Sequence, residues 1–233
     1  MISVDTVYQR VLALVNKEQR GYITPQEFNL FANQAQMSIF DQYFYDVNQF
    51  GRVPGNSTEH SDMIDLLNEK LDIFSFKEEL LFSQGSFSLP FNYYKITSIY
   101  YESSLGLKLA ERVDEKEFLL INSSLLTAPS LERPIYFRTG SNIFLYPSSQ
   151  QGQGSQKLIC NYIQKPMPVN WSYNVVMGQA IYSGSGSDFQ LHDSEENNLV
   201  LKILALAGIT IKDPGVYQIA AAEENRSIQQ EKQ

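Results

Sequence analysis

The stretch Asn16–Phe28, NKEQRGYITPQEF, has the spacing of a twelve-residue calcium loop. With Gly21 at the sixth place, Ile23 falls at the eighth and Glu27 at the twelfth, the pattern that wraps a hard cation in oxygen ligands. Asn16 and Glu18 stand at the first and third places and could donate oxygen. Arg20 stands at the fifth, and a guanidinium offers donors but no lone pair, so it would repel the ion. A helix–turn–helix corner accounts for the same residues. Gly21 closes one helix in the left-handed conformation, and Thr24-Pro25-Gln26-Glu27 is a capping box with proline at the first helical position. No calcium site is expected.

Other residues capable of chemistry are scarce. His192 beside Asp193 and Glu195 has the makings of a general base with a carboxylate partner. The same segment reads as a helix start, Asp193-Ser194-Glu195-Glu196, with a cap and carboxylates at its positive end. Neither His60 nor His192 stands at metal-ligand spacing from a second His or Cys. Gly184-Ser185-Gly186-Ser187 lacks the third glycine, the following helix and the lysine of a phosphate loop, and reads as a linker. There is no Gly-X-Ser-X-Gly elbow. Glu78-Glu79 and Glu223-Glu224 read as solvated faces. Cys160, the one cysteine, sits in the apolar run Leu158-Ile159-Cys160 and reads as a small buried hydrophobe. The expectation is no catalytic residue, no cofactor and no metal: not an enzyme.

Composition points elsewhere. The chain has 233 residues, enough for one large domain or two small ones. It opens without a basic region followed by an apolar run, so no secretory signal is expected. Leu199 to Ile211 is interrupted by Lys202 and is too short to span a bilayer, so no membrane partner is expected. The net charge is −8 and no cluster of Lys and Arg occurs, which argues against a surface that grips nucleic acid. Charged residues make up only 19% of the chain, while 14 Tyr and 14 Phe bring aromatics to 12%. Few charges with many tyrosines is a composition enriched at protein–protein interfaces.

The elements that would carry such a surface fall into three blocks. Val4, Val7, Tyr8, Val11, Leu12 and Val15 recur at helical spacing, as do Phe28, Phe31, Ala32, Ala35, Ile39 and Phe40. Asn33, Gln34 and Gln36 lie between the latter as a polar-amide face. The loop FGRVPGNST precedes a third helix, Ser61 to Leu71. From Phe74 the period changes to alternation, through Phe87 and Leu89, a β-branched run over Ile96, Ile99 and Tyr101, and Leu105, Leu107 and Leu109. Asp114 caps a short inserted helix reaching Leu120. RPIYFR and IFLYP, joined by TGSN, form a hairpin. The 148–156 stretch is a flexible Gln/Gly/Ser loop before a strand over Lys157 to Ile163. The WSYNVVMGQAIYSGSGSDFQ segment reads as irregular. Beyond it, Leu199 to Leu206 is apolar on nearly every face and so is expected to be a buried helix, loosened or ended at Gly208. Asp213-Pro214 opens a last helix that ends polar. The expected fold class is α+β, a helical bundle with an inserted antiparallel β-sandwich-like domain. The expected blocks are 1–73 (N-terminal helices), 74–170 (β insert) and 171–233 (C-terminal helices and a polar tail).

SFSLPFNYYKITSIYY, then RPIYFRTGSNIFLYP, then KLICNYIQKP, followed by helices, resembles the adaptor or head–tail connector proteins of tailed bacteriophages, including the tail tubular protein A type. The features that carry the resemblance are Leu89-Pro90, Tyr146-Pro147, and Tyr162 with Pro166. It covers most of the chain in layout, with short motifs. The 114–120 insertion and the 148–156 loop are departures from it.

The resemblance implies a structural virion protein at the head–tail junction, made in the host cytoplasm. It implies a homo-oligomeric ring, usually dodecameric, that joins the portal to tail or nozzle proteins and lines the DNA conduit without specific DNA binding. It also implies a C-terminal docking segment on the portal, here Glu223, Glu224, Arg226 and Ile228. Two readings from other classes stand beside it. A carbohydrate-binding or adhesive β module would suit the aromatics, and a hydrolase would need a nucleophile that the sequence does not offer.

Overall fold

Proline at position 25 and an apolar residue at every third or fourth place after it make the longest of the described helices. The computed structural model describes residues 1–17, 23–50, 62–83, 85–103, 106–124, 126–147 and 157–211. The chain is α+β, and it divides into two compact units. One joins Met1–Ile73 with Pro166–Gln233, as far as these are described; the other is the continuous stretch Phe74–Lys165. His60, the Gly21 corner, the 148–156 loop and everything after Ile211, including Glu223, Glu224, Arg226, Ile228 and the expected Asp213-Pro214 helix, lie outside the described residues.

In the first unit, α1 (Val4–Lys17), α2 (Pro25–Phe50), α3 (Asp62–Asp72) and α5 (Glu196–Ile211) supply the helices. The stripe of α1 is internal: Val4, Val7, Tyr8, Val11 and Val15 are buried. So are Phe28, Ala32, Ala35, Ile39 and Phe40 on α2. The capping box forms as read. Thr24 N and Oγ1 donate to Glu27 Oε2 at 2.9 and 2.8 Å, and Glu27 N donates to Thr24 Oγ1 at 3.3 Å. Helix α5 runs through Gly208 to Ile211 instead of stopping there. Leu199, Val200, Ile203, Leu204 and Ala207 are buried, while Leu201, Ala205 and Leu206 are half-buried, so one side of α5 stays partly open.

Part of the polar-amide face of α2 is turned inward: Gln36 is buried and Asn33 half-buried, while Gln34 is exposed. Asn29, Asn33 and Gln36 line up on the inward part and bond the backbone of alternate residues in the non-helical segment 167–171. Trp171 N donates to Asn29 Oδ1 at 2.8 Å, and Asn29 Nδ2 donates to Trp171 O at 3.3 Å. Val169 N donates to Asn33 Oδ1 and Asn33 Nδ2 to Val169 O, both at 2.8 Å. Gln36 Nε2 donates to Met167 O at 2.8 Å, and its Oε1 accepts from Gln190 N at 3.1 Å. The geometry allows it because the helix steps, about 6 and 4.5 Å at 1.5 Å per residue, nearly match the two-residue step of about 6.6 Å in an extended chain. The extra methylene of Gln36 covers the shortfall. Each amide thus acts as a neighbouring strand's peptide group would.

The second unit is a mixed sheet of β1 (Ser75–Ser83), β2 (Ser86–Ser88), β3 (Tyr93–Ser103), β4 (Gly106–Leu109), β5 (Glu111–Arg112), β6 (Ile135–Thr139), β7 (Asn142–Tyr146) and β8 (Lys157–Gln164). Their order is β4-β3-β8-β1-β2-β7-β6-β5. All pairs are antiparallel except β5 with β6, which is parallel, so the expected all-antiparallel insert is corrected at that edge. Strand β1 serves two neighbours: Ser75 to Leu80 pair with β8 and Leu81 to Ser83 with β2. Residues from both limbs share one core, with Ile99, Tyr101, Leu158 and Cys160 against Phe87, Tyr136, Ile143 and Leu145. The Gly140-Ser141 turn joins β6 to β7, with Gly140 at φ 62°. Ile135, Tyr136 and Phe137 are all buried because this hairpin is covered on both faces, the second by Phe118 of α4 (Glu115–Ser123). Asp114 holds the N-cap position of α4 but makes no side-chain cap bond. Leu107 and Leu109, whose alternation reads as a strand, lie in β4 and are exposed.

Candidate functional site

The residues that raised the possibility of chemistry are occupied by structural work. Both partners of the Glu27 carboxylate are on Thr24, and those bonds hold its pKa below the usual carboxylate range. His192, not Asp193, is the cap of the turn before α5: its Nδ1 accepts from Ser194 N at 3.2 Å and lies 2.8 Å from Ser194 Oγ. Glu195 does not face His192 as a base would require. It is buried, with Oε1 2.5 Å from Lys70 Nζ and Oε2 accepting from Asn198 Nδ2 at 3.1 Å. Lys70 also lies over the Tyr43 ring, 5.7 Å from its centre. No spacing in the sequence announces a pair whose members are so far apart in the chain.

Cys160 is buried, and loss of water followed by the Glu78 carboxylate pushes its thiol up to about 11. Glu78 accepts from Tyr162 Oη at 3.0 Å, and Glu79 pairs with Lys157 at 3.0 Å. Among the described residues no group of His, Cys, Asp and Glu is placed to hold a metal ion.

The Gly/Ser stretch is not a linker. A Cβ at Gly186 would lie 2.5 Å from the backbone oxygen of Asn170, which exchanges backbone bonds with Ser187 at 2.9 and 3.3 Å. Ser183 and Ser185 hydroxyls bond each other at 2.9 Å and Ser172 at 2.6 and 3.2 Å. This packing closes the base of a hairpin that periodicity missed: β9 (Tyr173–Val176) and β10 (Gln179–Tyr182). Tyr173 and Tyr182 stack on Trp171 at 5.7 and 5.8 Å between centroids. Trp171 is itself buried, packs on Tyr8, and donates from Nε1 to Asp5 Oδ1 at 2.9 Å.

Beyond that base the hairpin stands in water as an arm. Val175 is 67% exposed, Ile181 51% and Met177, at the tip, fully. The strands pair only with each other among the described residues. Met177 and Gly178 have φ of 52° and 81°, the two left-handed positions of a two-residue hairpin turn. Asn-Gly is the usual pair there; a methionine signal is easily overlooked.

The same unit carries an open groove of about 500 Å³ between α1 and α5, lined by Arg10, Ala13, Leu14, Asn197, Val200 and Leu201. Arg10 is held at its rim by Glu196 at 3.0 Å and Asn197 at 3.4 Å. An arm and a groove lined in this way can take up apolar side chains.

No protein-family model matches the chain, and no curated protein matches it. No described helix is long and apolar enough to cross a membrane.

Proposed function

We propose that this chain is a structural subunit of the head–tail connector of a tailed bacteriophage, assembled as a ring between the portal and the tail or nozzle proteins. The finer architecture in this reading is a helical bundle carrying an inserted β-sandwich-like domain. The observation that carries it is the interruption of a helical unit by one continuous β unit, Phe74–Lys165, whose two limbs share a core. Supporting it is the surface. Leu30, Leu66, Leu81, Phe91, Leu119, Leu120 and Leu126 are large apolar side chains left in water on a chain poor in charge, as on a subunit made to be covered. The acidic balance suits a conduit wall, because few cations are offered to replace the counterions of passing DNA.

The tests are negative-stain microscopy of the purified chain, expected to reveal rings, and retention on the cognate portal, expected to be lost when Glu223–Gln233 is deleted. A chain that forms no ring and is not retained by the portal sinks the reading. Retention that survives the deletion moves the portal contact away from Glu223, Glu224, Arg226 and Ile228.

A further inference from the structure

We propose that the β9–β10 arm of one copy seats in the α1/α5 groove of a second copy of this chain. The proposal rests on the ring reading and names its interface.

A hairpin with four residues per strand and both faces wet beyond its base is marginal in water without cover. Val175, Val176, Met177 and Ile181 all expose apolar side chains, Val176 and Ile181 on one face of the ribbon, Val175 on the other and Met177 at the tip. The tip carries a second sign. A methionine occupies a left-handed backbone position where Asn or Gly would be at home, so a large apolar side chain is held out at a conformational cost.

The occupant follows from charge. Each copy carries a net charge of −8, so two copies approach most readily through surface that bears none. Between Lys165 and Asp188 there is no charged side chain, and the whole arm lies in that stretch. The groove wall is Ala13, Leu14, Val200 and Leu201, and its one cation, Arg10, is already matched by Glu196. A nucleic acid would require free cations on the arm, and a basic partner would require carboxylates; it has neither. In size, about 500 Å³ accommodates the Met177 side chain with its flanking valine. Because arm and groove are made of different residues on one unit, the contact is head-to-tail, the kind that repeats until it closes into a ring or runs on as a filament.

Sedimentation velocity of the full chain over a concentration series tests this with two variants. Met177→Asn removes the knob while suiting the turn, and Leu14→Glu charges an exposed position on the groove wall. Each is expected to weaken self-association about tenfold or more, with the unfolding midpoint reported by Trp171 unchanged. Ile181→Thr, which keeps a β-branched residue in the strand, is expected to act as Met177→Asn does. The Met177→Asn chain keeps its groove and the Leu14→Glu chain keeps its arm, so an equimolar mixture should form a one-to-one dimer that grows no further. Variants that assemble like the wild type, or a mixture that stays monomeric, overturn the proposal and leave the ring standing. A wild-type chain that remains monomeric throughout takes the ring reading down as well.

Discussion

Asn33 is the middle rung of the amide ladder, and its removal is the clearest test of how the first unit is held together. Asn33→Ala takes away the side-chain amide that meets both the N–H and the C=O of Val169, a residue 2% exposed. A buried donor or acceptor left unmet costs about 1–3 kcal/mol. With two such groups, and some relief from entering water, the expected loss is about 2–4 kcal/mol, large against the total stability of a domain. Asn33→Asp should cost at least as much, since it keeps the partner for Val169 N–H but aims a carboxylate at the Val169 and Asn29 carbonyls, now 2.8 and 2.7 Å away. Gln34→Ala, one position along and exposed, should stay within about 0.5 kcal/mol of the wild type. The assay is urea unfolding followed by tryptophan fluorescence. Trp171 is the only tryptophan, and its own backbone N–H bonds the next rung, so the signal reports this unit alone. The midpoint should fall by about 1 M or more, given typical urea slopes. If Asn33→Ala unfolds together with Gln34→Ala, the ladder contributes nothing and the reasoning fails.

Three further outcomes follow from the same contacts. Glu195→Gln leaves the Lys70 ammonium without a counter-charge in a mostly buried place and should cost about 2–4 kcal/mol, while the double change Lys70→Met with Glu195→Leu should recover much of that loss in the same urea assay. Gly186→Ala drives a methyl group against the Asn170 oxygen and should lower the Trp171 midpoint by about 1–3 kcal/mol; an unchanged midpoint would mean the Gly/Ser stretch yields freely. Cys160 should resist an aromatic disulfide reagent at pH 8 until urea unfolds the chain, and rapid reaction of the native protein would contradict its burial. Alkaline stability shares that origin. The fold favours neutral Cys160 and Tyr162, raising them from 9.0 to about 11 and from 10.0 to about 12. Their contribution is therefore complete below about pH 9 and lost as pH rises toward 12, which a melt series against pH will follow.

Much of the framework was legible. The α1 and α2 stripes, the Thr24–Glu27 box and the Gly140-Ser141 hairpin announce themselves because apolar spacing, capping and turn chemistry are local. The amide ladder was not, since hydrophobic periodicity ranks Asn and Gln as solvated and says nothing about a backbone met more than a hundred residues later. The same blindness hid the Lys70–Glu195 pair. Composition misled at Gly184–Ser187, where glycine permits close approach to Asn170 instead of flexibility. The arm was overlooked because Met177-Gly178 is an unusual hairpin turn. The groove arises from two helices distant in sequence and has no linear signature at all.

The place where the β unit leaves the chain has a consequence for how the molecule assembles itself. Gln164 N donates to Phe74 O at 2.8 Å, and Ser75 pairs with Ile163, so the departing and returning strands are direct neighbours. Two such residues sit about 5 Å apart. Before the sheet forms, joining α1–α3 to the segment that begins at Pro166 means closing an excursion of about 90 residues; afterwards it means closing one no longer than a tight turn. At about 0.6 kcal/mol per doubling of loop length, that difference is roughly 3 kcal/mol. A nascent chain can thus complete the sheet while α5 is still to emerge, and the finished sheet then acts as a clasp that delivers the Pro166 segment, with α5 behind it, to helices synthesised long before.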